Sequence, residues 1–377
     1  MSASLDCTGC GARYALGPMF FGCRQCGCAL VVRSVGAPWN GKTVTLGEGG
    51  TPLVPLRDWL GPARFWVKNE SCNPTWSYKD RTASVSISMA LAFGFKQTVA
   101  ISTGNHGNAV AAYSAAAGLG CTIFCNPGAP DLQLALMRRY GARVVRGGNQ
   151  NALVRQMVER GGVFPASIVC PLGGFANPYG VEGFKAIAAE IVEQLGRAPD
   201  RVFVPAGSGD GLYGIWKGFR ELREFGVTDR VPKIVGCQAE GAACYAEAIR
   251  TGATKPVYIK DPKTVALSIA EEVGGSLALD AIRDSGGTAI AVSEDAILGA
   301  MRTLSGCGMA LEAASAAALA CAGTMAGDAD AGEDWVMIGT GAIAKWPPMV
   351  TAGFTMPGAL PPDFSDWGAL SRDLDAV

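Results

Sequence analysis

Residues Asn73–Arg81 read NPTWSYKDR, and behind them comes an apolar run at helical spacing: Ala83, Val85, Ile87, Met89, Ala90 and Leu91. The pattern predicts a helix that begins near Ser77 or Tyr78, with Ser77 as its N-cap. Lys79 then stands at the entrance of a helix packed into the protein. A lysine in apolar surroundings loses solvation of its charged form, so its pKa falls. Its amine becomes a nucleophile able to form a Schiff base with a carbonyl. These nine residues alone also read as a snorkelling surface lysine at a helix start, and the rest of the chain has to decide between the two.

Around this segment strands and helices alternate. Strands are expected at FWVKNE (65–70), TVAIS (98–102), CTIFC (121–125), ARVVR (142–146), 167–171, RVFVPA (201–206) and WVMIGTGAIAK (335–345). Helices are expected at 108–117, Asp131–Tyr140, 151–160, LYGIWKGFREL (212–222), VSEDAILGAMRTLSG (292–306, with Ser293 as N-cap) and MALEAASAAALA (309–320). This alternation predicts an α/β fold of open, mostly parallel sheets with helices on both faces. In such sheets ligands sit at the carboxyl ends of the strands.

Two loops occupy that position. Ser102-Thr103-Gly104-Asn105-His106-Gly107 follows a strand and opens a helix, so its amides and hydroxyls form an anion cradle. His106 is the chain's single histidine. Gly207-Ser208-Gly209-Asp210-Gly211 makes a second strand-to-helix turn, suited to phosphate. It reads GxGxG rather than GxGxxG, with no acidic residue placed for a ribose, so a nicotinamide dinucleotide fits poorly.

The N-terminal stretch carries Cys7-x-x-Cys10 and Cys23-x-x-Cys26, each pair followed by glycine. Two such knuckles supply four thiolates for one tetrahedral zinc, structural because no position stays open. Cys28 is a spare, either a free thiol or a competitor for the metal. The chain has 377 residues, 49% hydrophobic and 17% charged, which predicts a compact globular protein of about two domains. A net charge of -1 gives no electrostatic case for nucleic acid or an anionic membrane. No apolar run reaches membrane-spanning length and no signal-peptide pattern opens the chain, so a cytoplasmic location is expected, with thirteen cysteines as metal ligands and buried thiols rather than disulfides.

NPTWSYKDR resembles the lysine motif of the fold-type II pyridoxal-phosphate enzymes, usually Asn-Pro-Thr-Gly-Ser-Phe-Lys-Asp-Arg, and within them is most similar to that of threonine synthases. GEGGTPL (47–53), the 102–107 loop, the 207–211 loop with Trp-Lys-Gly-Phe (216–219), the 309–320 helix and the cysteine knuckles match in order. The resemblance implies a tryptophan synthase β-like fold with the cofactor in a cleft. A small domain of 90–176 would be inserted in a large one of 33–89 plus 177–377, with the 1–32 zinc-ribbon-like segment outside. It implies that Lys79 carries pyridoxal phosphate as a Schiff base and that Asn105 contacts the cofactor's phenolic oxygen. Gly207, Ser208, Gly209, Asp210 and Gly211 would hold its phosphate, and Thr340 would face its pyridine nitrogen. Ser102, Thr103, Gly104 and His106 would receive the substrate carboxylate; since relatives often carry Thr at the histidine position, base catalysis by His106 is not the expectation. A neutral hydroxyl partner leaves the pyridine nitrogen unprotonated, which suits elimination and replacement better than transamination. Most members are homodimers.

The pattern departs at the substrate phosphate. Where threonine synthases carry an Asn-Ser pair and an arginine, this chain has Gly174-Phe175 and Gly180. Losing a bidentate arginine from a phosphate site should cost several kcal/mol. Trp76 replaces the motif's glycine and would flatten the substrate space. Ala270 replaces a family arginine, and Glu271 and Glu272 follow it as surface charges or as partners for a cationic substrate group. The expected function is therefore a pyridoxal-phosphate lyase performing β- or γ-elimination or replacement on a small L-amino acid other than O-phosphohomoserine. The alternatives are threonine synthase itself and a catalytically inactive scaffold.

Overall fold

The computed structural model describes residues 3–34, 42–57, 61–167 and 177–350. Three strands open the chain, β1 (Ser4–Cys7), β2 (Arg13–Ala15) and β3 (Leu30–Arg33), forming an antiparallel sheet in the order β2-β1-β3. After β4 (Leu53–Pro55) and β5 (Arg64–Asn69), helix α1 (Lys79–Ala92) leads into a strictly alternating stretch. That stretch runs β6 (Gln97–Ile101), α2 (Asn105–Ala116), β7 (Gly120–Cys125), α3 (Asp131–Arg139), β8 (Arg143–Arg146), α4 (Gln150–Glu159) and β9 (Val163–Pro165). Its strands form a parallel sheet in the order β8-β7-β6-β9. The chain continues through α5 (Val181–Leu195), β10 (Arg201–Pro205), α6 (Asp210–Glu224), β11 (Lys233–Ala239), α7 (Cys244–Thr251) and α8 (Ser276–Asp284). It closes with β12 (Thr288–Val292), α9 (Glu294–Gly306), α10 (Ala313–Thr324), β13 (Asp334–Gly339) and α11 (Pro347–Val350). The larger sheet has the order β12-β11-β10-β13-β5-β4, parallel except for β4 against β5. Every residue of β13 is buried, as expected of a continuous apolar strand covered on both faces.

Helix α1 is the link between the two sheets. Its Ala83, Val85, Ile87 and Met89 join the core of the four-stranded sheet, which also takes in Leu5, Phe20 and Val32 of the N-terminal segment. Phe20 meets Phe164 edge-on at 5.1 Å, tying that segment to β9. A helix buried nearly all round must satisfy its own polar side chains. Ser84 donates to Val44 O at 2.6 Å, Ser88 accepts from Val44 N at 2.7 Å, and Ser86 accepts from Asn177 Nδ2 at 3.1 Å. Arg81, also buried, donates to Glu70 at 2.6 and 2.8 Å and to Glu190 of α5 at 2.7 and 2.8 Å. Lys68 pairs with the same Glu190 at 2.7 Å. A second buried set of alternating charges, Glu182, Lys185, Lys217 and Glu221, joins α5 to α6.

The expected order of elements holds, with shifted boundaries. Helix α2 begins three residues earlier than its apolar period suggests, because Asn105 and His106 already lie in its first turn. Helix α6 likewise starts at Asp210, inside the glycine loop. The strand expected at 335–345 ends at Gly339, and the helix expected from 309 starts at Ala313, since Leu311 and Ala342 form a bridge instead. The strand expected at 167–171 is found earlier, at Val163–Pro165; residues 168–171 lie outside the described residues, as do Gly174 and Phe175. Ser293 caps α9 as expected, accepting from Ala296 N at 3.3 Å.

Helices α1 and α5 touch backbone to backbone. A Cβ on Gly183 would lie 2.0 Å from Arg81 O. No rotamer relieves a clash with a carbonyl, so Gly183→Ala should destabilise the fold by about 1–3 kcal/mol or more. Urea denaturation followed by circular dichroism measures this; an unchanged midpoint would show that the two helices are not held this closely.

Candidate active site

The segment before α1 is a folded turn held from three sides. Asp80 accepts from Thr75 N at 2.7 Å and from Thr75 Oγ1 at 2.5 Å, while Trp76 N donates to Asn73 O at 2.8 Å. Trp76 N is thereby committed, and Trp76 sits at φ 62°, in the left-handed region that costs a tryptophan roughly 1–2 kcal/mol and a glycine nothing. The residue is 44% exposed. The next residues run against the end of β13. Ala342 N donates to Trp76 O at 3.0 Å, Ser77 bridges Gly341, and Tyr78 N donates to Thr340 O at 2.9 Å. Ser77 is therefore not the N-cap: Tyr78 takes that position, and the Ser77 hydroxyl is buried without a partner because the backbone pairing with Gly341 aims it away from the helix amides.

Lys79 occupies the first helical position. Its Nζ donates to Asp210 Oδ2 at 2.8 Å and lies 5.0 and 5.4 Å from the ring centroids of Tyr78 and Phe184. Burial works against the ammonium, as expected from its apolar setting, but the Asp210 carboxylate outweighs it and holds Lys79 above the ordinary lysine value. The lowered pKa expected from sequence is thus reversed, and the reason is an acidic partner far along the chain. Burial pushes Asp210 up, and Lys79 more than offsets this, leaving it below the usual carboxylate range.

Asp210 belongs to the glycine loop. Its other oxygen accepts from Ser208 Oγ at 3.0 Å. Among the described residues, the amides of Ser208, Gly209, Asp210 and Gly211 meet no protein acceptor, which leaves a row of donors at the N-terminus of α6. The glycines are packing requirements too: a Cβ on Gly209 would lie 2.2 Å from the Tyr245 hydroxyl, and one on Gly211 2.6 Å from the Tyr78 ring.

The 102–107 loop opens α2 beside this group. Ser102 Oγ accepts from Gly107 N at 2.8 Å and Gly104 N at 3.3 Å, which folds the loop over the helix end. His106 is half-buried, its Nε2 bonded to Ala166 O at 3.0 Å. The carbonyl fixes the proton on Nε2, leaving Nδ1 a bare, unpartnered acceptor. Burial, with the charge of Lys79, lowers His106 to about 4, so it is neutral near pH 7 and a weak base. Asn105 is buried, with Nδ2 donating to Glu312 at 2.8 Å and Oδ1 unpartnered.

Glu312, just before α10, was not singled out from sequence, yet it accepts from Asn105, Thr340, Trp346 and Ser268. Its position in a small-residue helix motif was the only available signal. Lys345 is a second unheralded group, buried and donating to Thr75 O at 2.7 Å; burial lowers it to about 8 despite Glu312 and Asp80 nearby. Glu271 stands at the rim, reachable by solvent yet crowded by its neighbours, and this loss of solvation raises its carboxyl although Lys79 opposes the shift.

Gly180 has no vacant space around it. A Cβ there would meet Thr82 Oγ1 at 2.5 Å and Ser86 Oγ at 2.6 Å, so a larger residue requires these two hydroxyls of α1 to move aside. At the N-terminus the Sγ atoms of Cys7, Cys10, Cys23 and Cys26 all lie within 4.8 Å of one another, the donor set of a closed four-thiolate site. Gly11 and Gly27 turn the two knuckles at φ 71° and 73°.

The family model described as "Pyridoxal-phosphate dependent enzyme" matches residues 44–341. The chain is 34% identical to the threonine synthase of Methanosarcina acetivorans over 84% of this chain and 85% of that one. It is 39% identical to the threonine synthase of Methanocaldococcus jannaschii over 74% of this chain and 70% of that one. Among solved structures it superposes on a T.th. threonine deaminase with a TM-score of 0.66 at 24% identity, covering 81% of this chain and 94% of that one. It superposes on maize serine racemase with a TM-score of 0.68 at 20% identity, covering 86% and 93%.

Removing the negative charge beside Lys79 should free its amine. In Asp210→Asn, the pH at which Lys79 reacts with an aldehyde and is fixed by borohydride should fall by about 1–3 units, read by mass spectrometry of the labelled peptide. An unshifted profile would mean that Asp210 does not hold the lysine proton.

Proposed function

This chain belongs to the fold-type II pyridoxal-phosphate-dependent enzymes, in their threonine synthase-like branch, and on that footing we propose that it performs β- or γ-elimination or replacement, through Lys79, on a small L-amino acid other than O-phosphohomoserine. The observation that carries the reading is convergence. Lys79 bonds Asp210 of the loop whose amides at 208–211 meet no protein acceptor among the described residues, Asn105 and Thr340 both bond Glu312, and Tyr78 N bonds Thr340 O, so bonds link residues of four separate segments. The residues present fit pyridoxal phosphate: an amine for its aldehyde, an amide row for its phosphate, and buried polar groups without full partners for its ring.

When bound, the cofactor supplies an electron sink for the charge left on the substrate α-carbon. Lys79 would hold the cofactor through its amine, and that amine, when free, would carry the proton of the substrate α-carbon. Asp210 keeps that amine in place and charged when it holds the proton. The Thr103 amide and the hydroxyls of Ser102 and Thr103 receive the substrate carboxylate, the amides of Ser102 and Gly104 being already bonded to Phe124 O and Ser102 Oγ, and His106 is not a base. Trp76 forms a wall of the substrate space. Cys7, Cys10, Cys23 and Cys26 hold a structural zinc, and the enzyme works as a cytoplasmic homodimer.

A specific observation favours a second reading, threonine synthase itself: the relatives quoted above bear that name. Against it stands Gly180, a glycine where threonine synthases carry the phosphate-binding arginine, with the Thr82 and Ser86 hydroxyls packed against it.

The purified protein, supplied with pyridoxal phosphate, should show a visible absorbance band that Lys79→Ala abolishes. Titration with serine, threonine, homoserine, phosphoserine, phosphohomoserine and diaminopropionate should move the band with one of the compounds without a phosphate. Phosphate release from phosphohomoserine would establish the second reading instead, and no band would remove both. Metal analysis should find one zinc per chain in the wild type and none in a Cys7→Ser, Cys10→Ser variant; a metal-free wild type with full stability would remove the zinc.

A further inference from the structure

Trp76 stands in a backbone conformation that a tryptophan rarely adopts. Among the described residues only Trp76, at φ 62°, and Asp261, at φ 50°, are non-glycine residues with positive φ. Aspartate visits this region readily, whereas a bulky side chain there is a genuine outlier. The backbone does not need the indole. Trp76 N donates to Asn73 O at 2.8 Å and Trp76 O accepts from Ala342 N at 3.0 Å, bonds that a glycine would make equally well. Nor does the interior need it. Trp76 is exposed, it joins none of the three hydrophobic cores, and among the described residues no hydrogen bond or ring contact reaches its indole. No contact of the indole itself therefore offsets the strain, and strain of this kind collects where a ligand is handled.

The position is that of a substrate contact. Residues 76–78 run along the carboxyl end of β13, the edge at which ligands sit in an open parallel sheet. Lys79 follows three positions later. On the other side, Thr75 O accepts from Lys345 Nζ at 2.7 Å, and the neighbouring Trp346 lays its ring on Gly104, where a Cβ would lie 3.0 Å from it. The turn that carries Trp76 is thus tied between the Lys79 amine and the 102–107 loop, read above as the carboxylate cradle. A substrate whose reacting carbon faces the first and whose carboxylate sits in the second lies beside this turn.

This inference rests on the pocket being that of pyridoxal phosphate. We propose that Trp76 is a specificity-determining residue whose indole closes the substrate space over a short side chain. The enzyme then takes three-carbon L-amino acids with a leaving group on the β-carbon, the serine class, and rejects homologues one methylene longer. The strained backbone is the condition for placing a large flat ring where the motif's glycine leaves open space. One methylene against a closed apolar wall is worth about 10–200-fold in selectivity.

The test separates recognition from structure. In cofactor-free protein, Trp76→Gly should leave the urea midpoint unchanged or raise it, since it removes strain and no internal bond. In protein loaded with pyridoxal phosphate, titration of the visible band should give the wild type a tighter Kd for serine than for homoserine. Trp76→Gly should cut that ratio by about tenfold or more, and Trp76→Phe, which keeps an aromatic wall, should retain it. A lowered midpoint in Trp76→Gly overturns the proposal, because the indole would then serve packing. So does a wild type that favours homoserine, a ratio that Trp76→Gly leaves unchanged, or one that Trp76→Phe loses as fully as Trp76→Gly. A wild type that takes up no cofactor overturns the reading of the site itself, a failure distinguishable from these because the urea comparison needs no cofactor.

Discussion

The pairing of residues 76–78 with 340–342 sets the geometry on which the pocket depends. Three backbone contacts lay the turn before α1 along the end of β13, so that Lys79 and Thr340 are placed by one short piece of extended chain. The cost of that arrangement is visible on both sides of it. Trp76 is held at a positive φ, and the Ser77 hydroxyl is buried with no partner. The compensation lies in the first turns of α1, where Asp80 ties back to Thr75 and Arg81 is clamped between Glu70 and Glu190. A buried ion pair of this kind adds little net stability over an apolar substitute. Removing one partner, however, leaves a charge stranded at a cost of about 3–5 kcal/mol. Its value here is in fixing where α1 starts, and therefore where the amine stands.

Much of this was legible in the sequence, and the parts that were not share a physical cause. Period and turn chemistry located the alternating elements, the Ser293 cap and the two loops at the strand ends, because those signals are local. Resemblance located Lys79, Asn105 and Thr340 as separate points. The partner of each came from elsewhere. Asp210 was read as part of a phosphate loop, yet its carboxylate reverses the expected shift of Lys79 across 131 positions of sequence. Glu312 looked like one polar residue in a run of alanines, and only the fold brings four donors to it. Ser77 is the instructive local failure. Ser is a strong N-cap by preference, but a β-bridge to Gly341 claims its backbone first, and tertiary pairing overrides propensity.

Gly180 changes the meaning of a missing residue. From sequence, a glycine in place of arginine suggests a pocket refitted for another leaving group. In the fold it is a contact surface, with Thr82 and Ser86 of α1 against it and Asn177 Oδ1 accepting from Gly180 N at 2.7 Å. The altered residue thus serves the close packing of α1 on α5, the same packing that Gly183 permits one turn later. A larger residue at 180 would press on the Thr82 and Ser86 hydroxyls of the helix that carries Lys79.

The charges around Lys79 bear on the leaving group. Asp210 lies 2.8 Å from its amine, and Glu271 is near enough for the two carboxylates to raise one another's cost of ionisation. At an effective dielectric of about 20, two like charges 4 Å apart repel by about 4 kcal/mol. A substrate whose side chain carries a phosphate would add a further negative charge with no arginine at position 180 to receive it. A neutral or cationic side chain meets no such penalty, and the raised carboxyl of Glu271 could pick up a hydrogen bond from it in either protonation state. The charges near Lys79 and the packing at Gly180 are independent of one another, and both bear on the proposal that the substrate carries no phosphate.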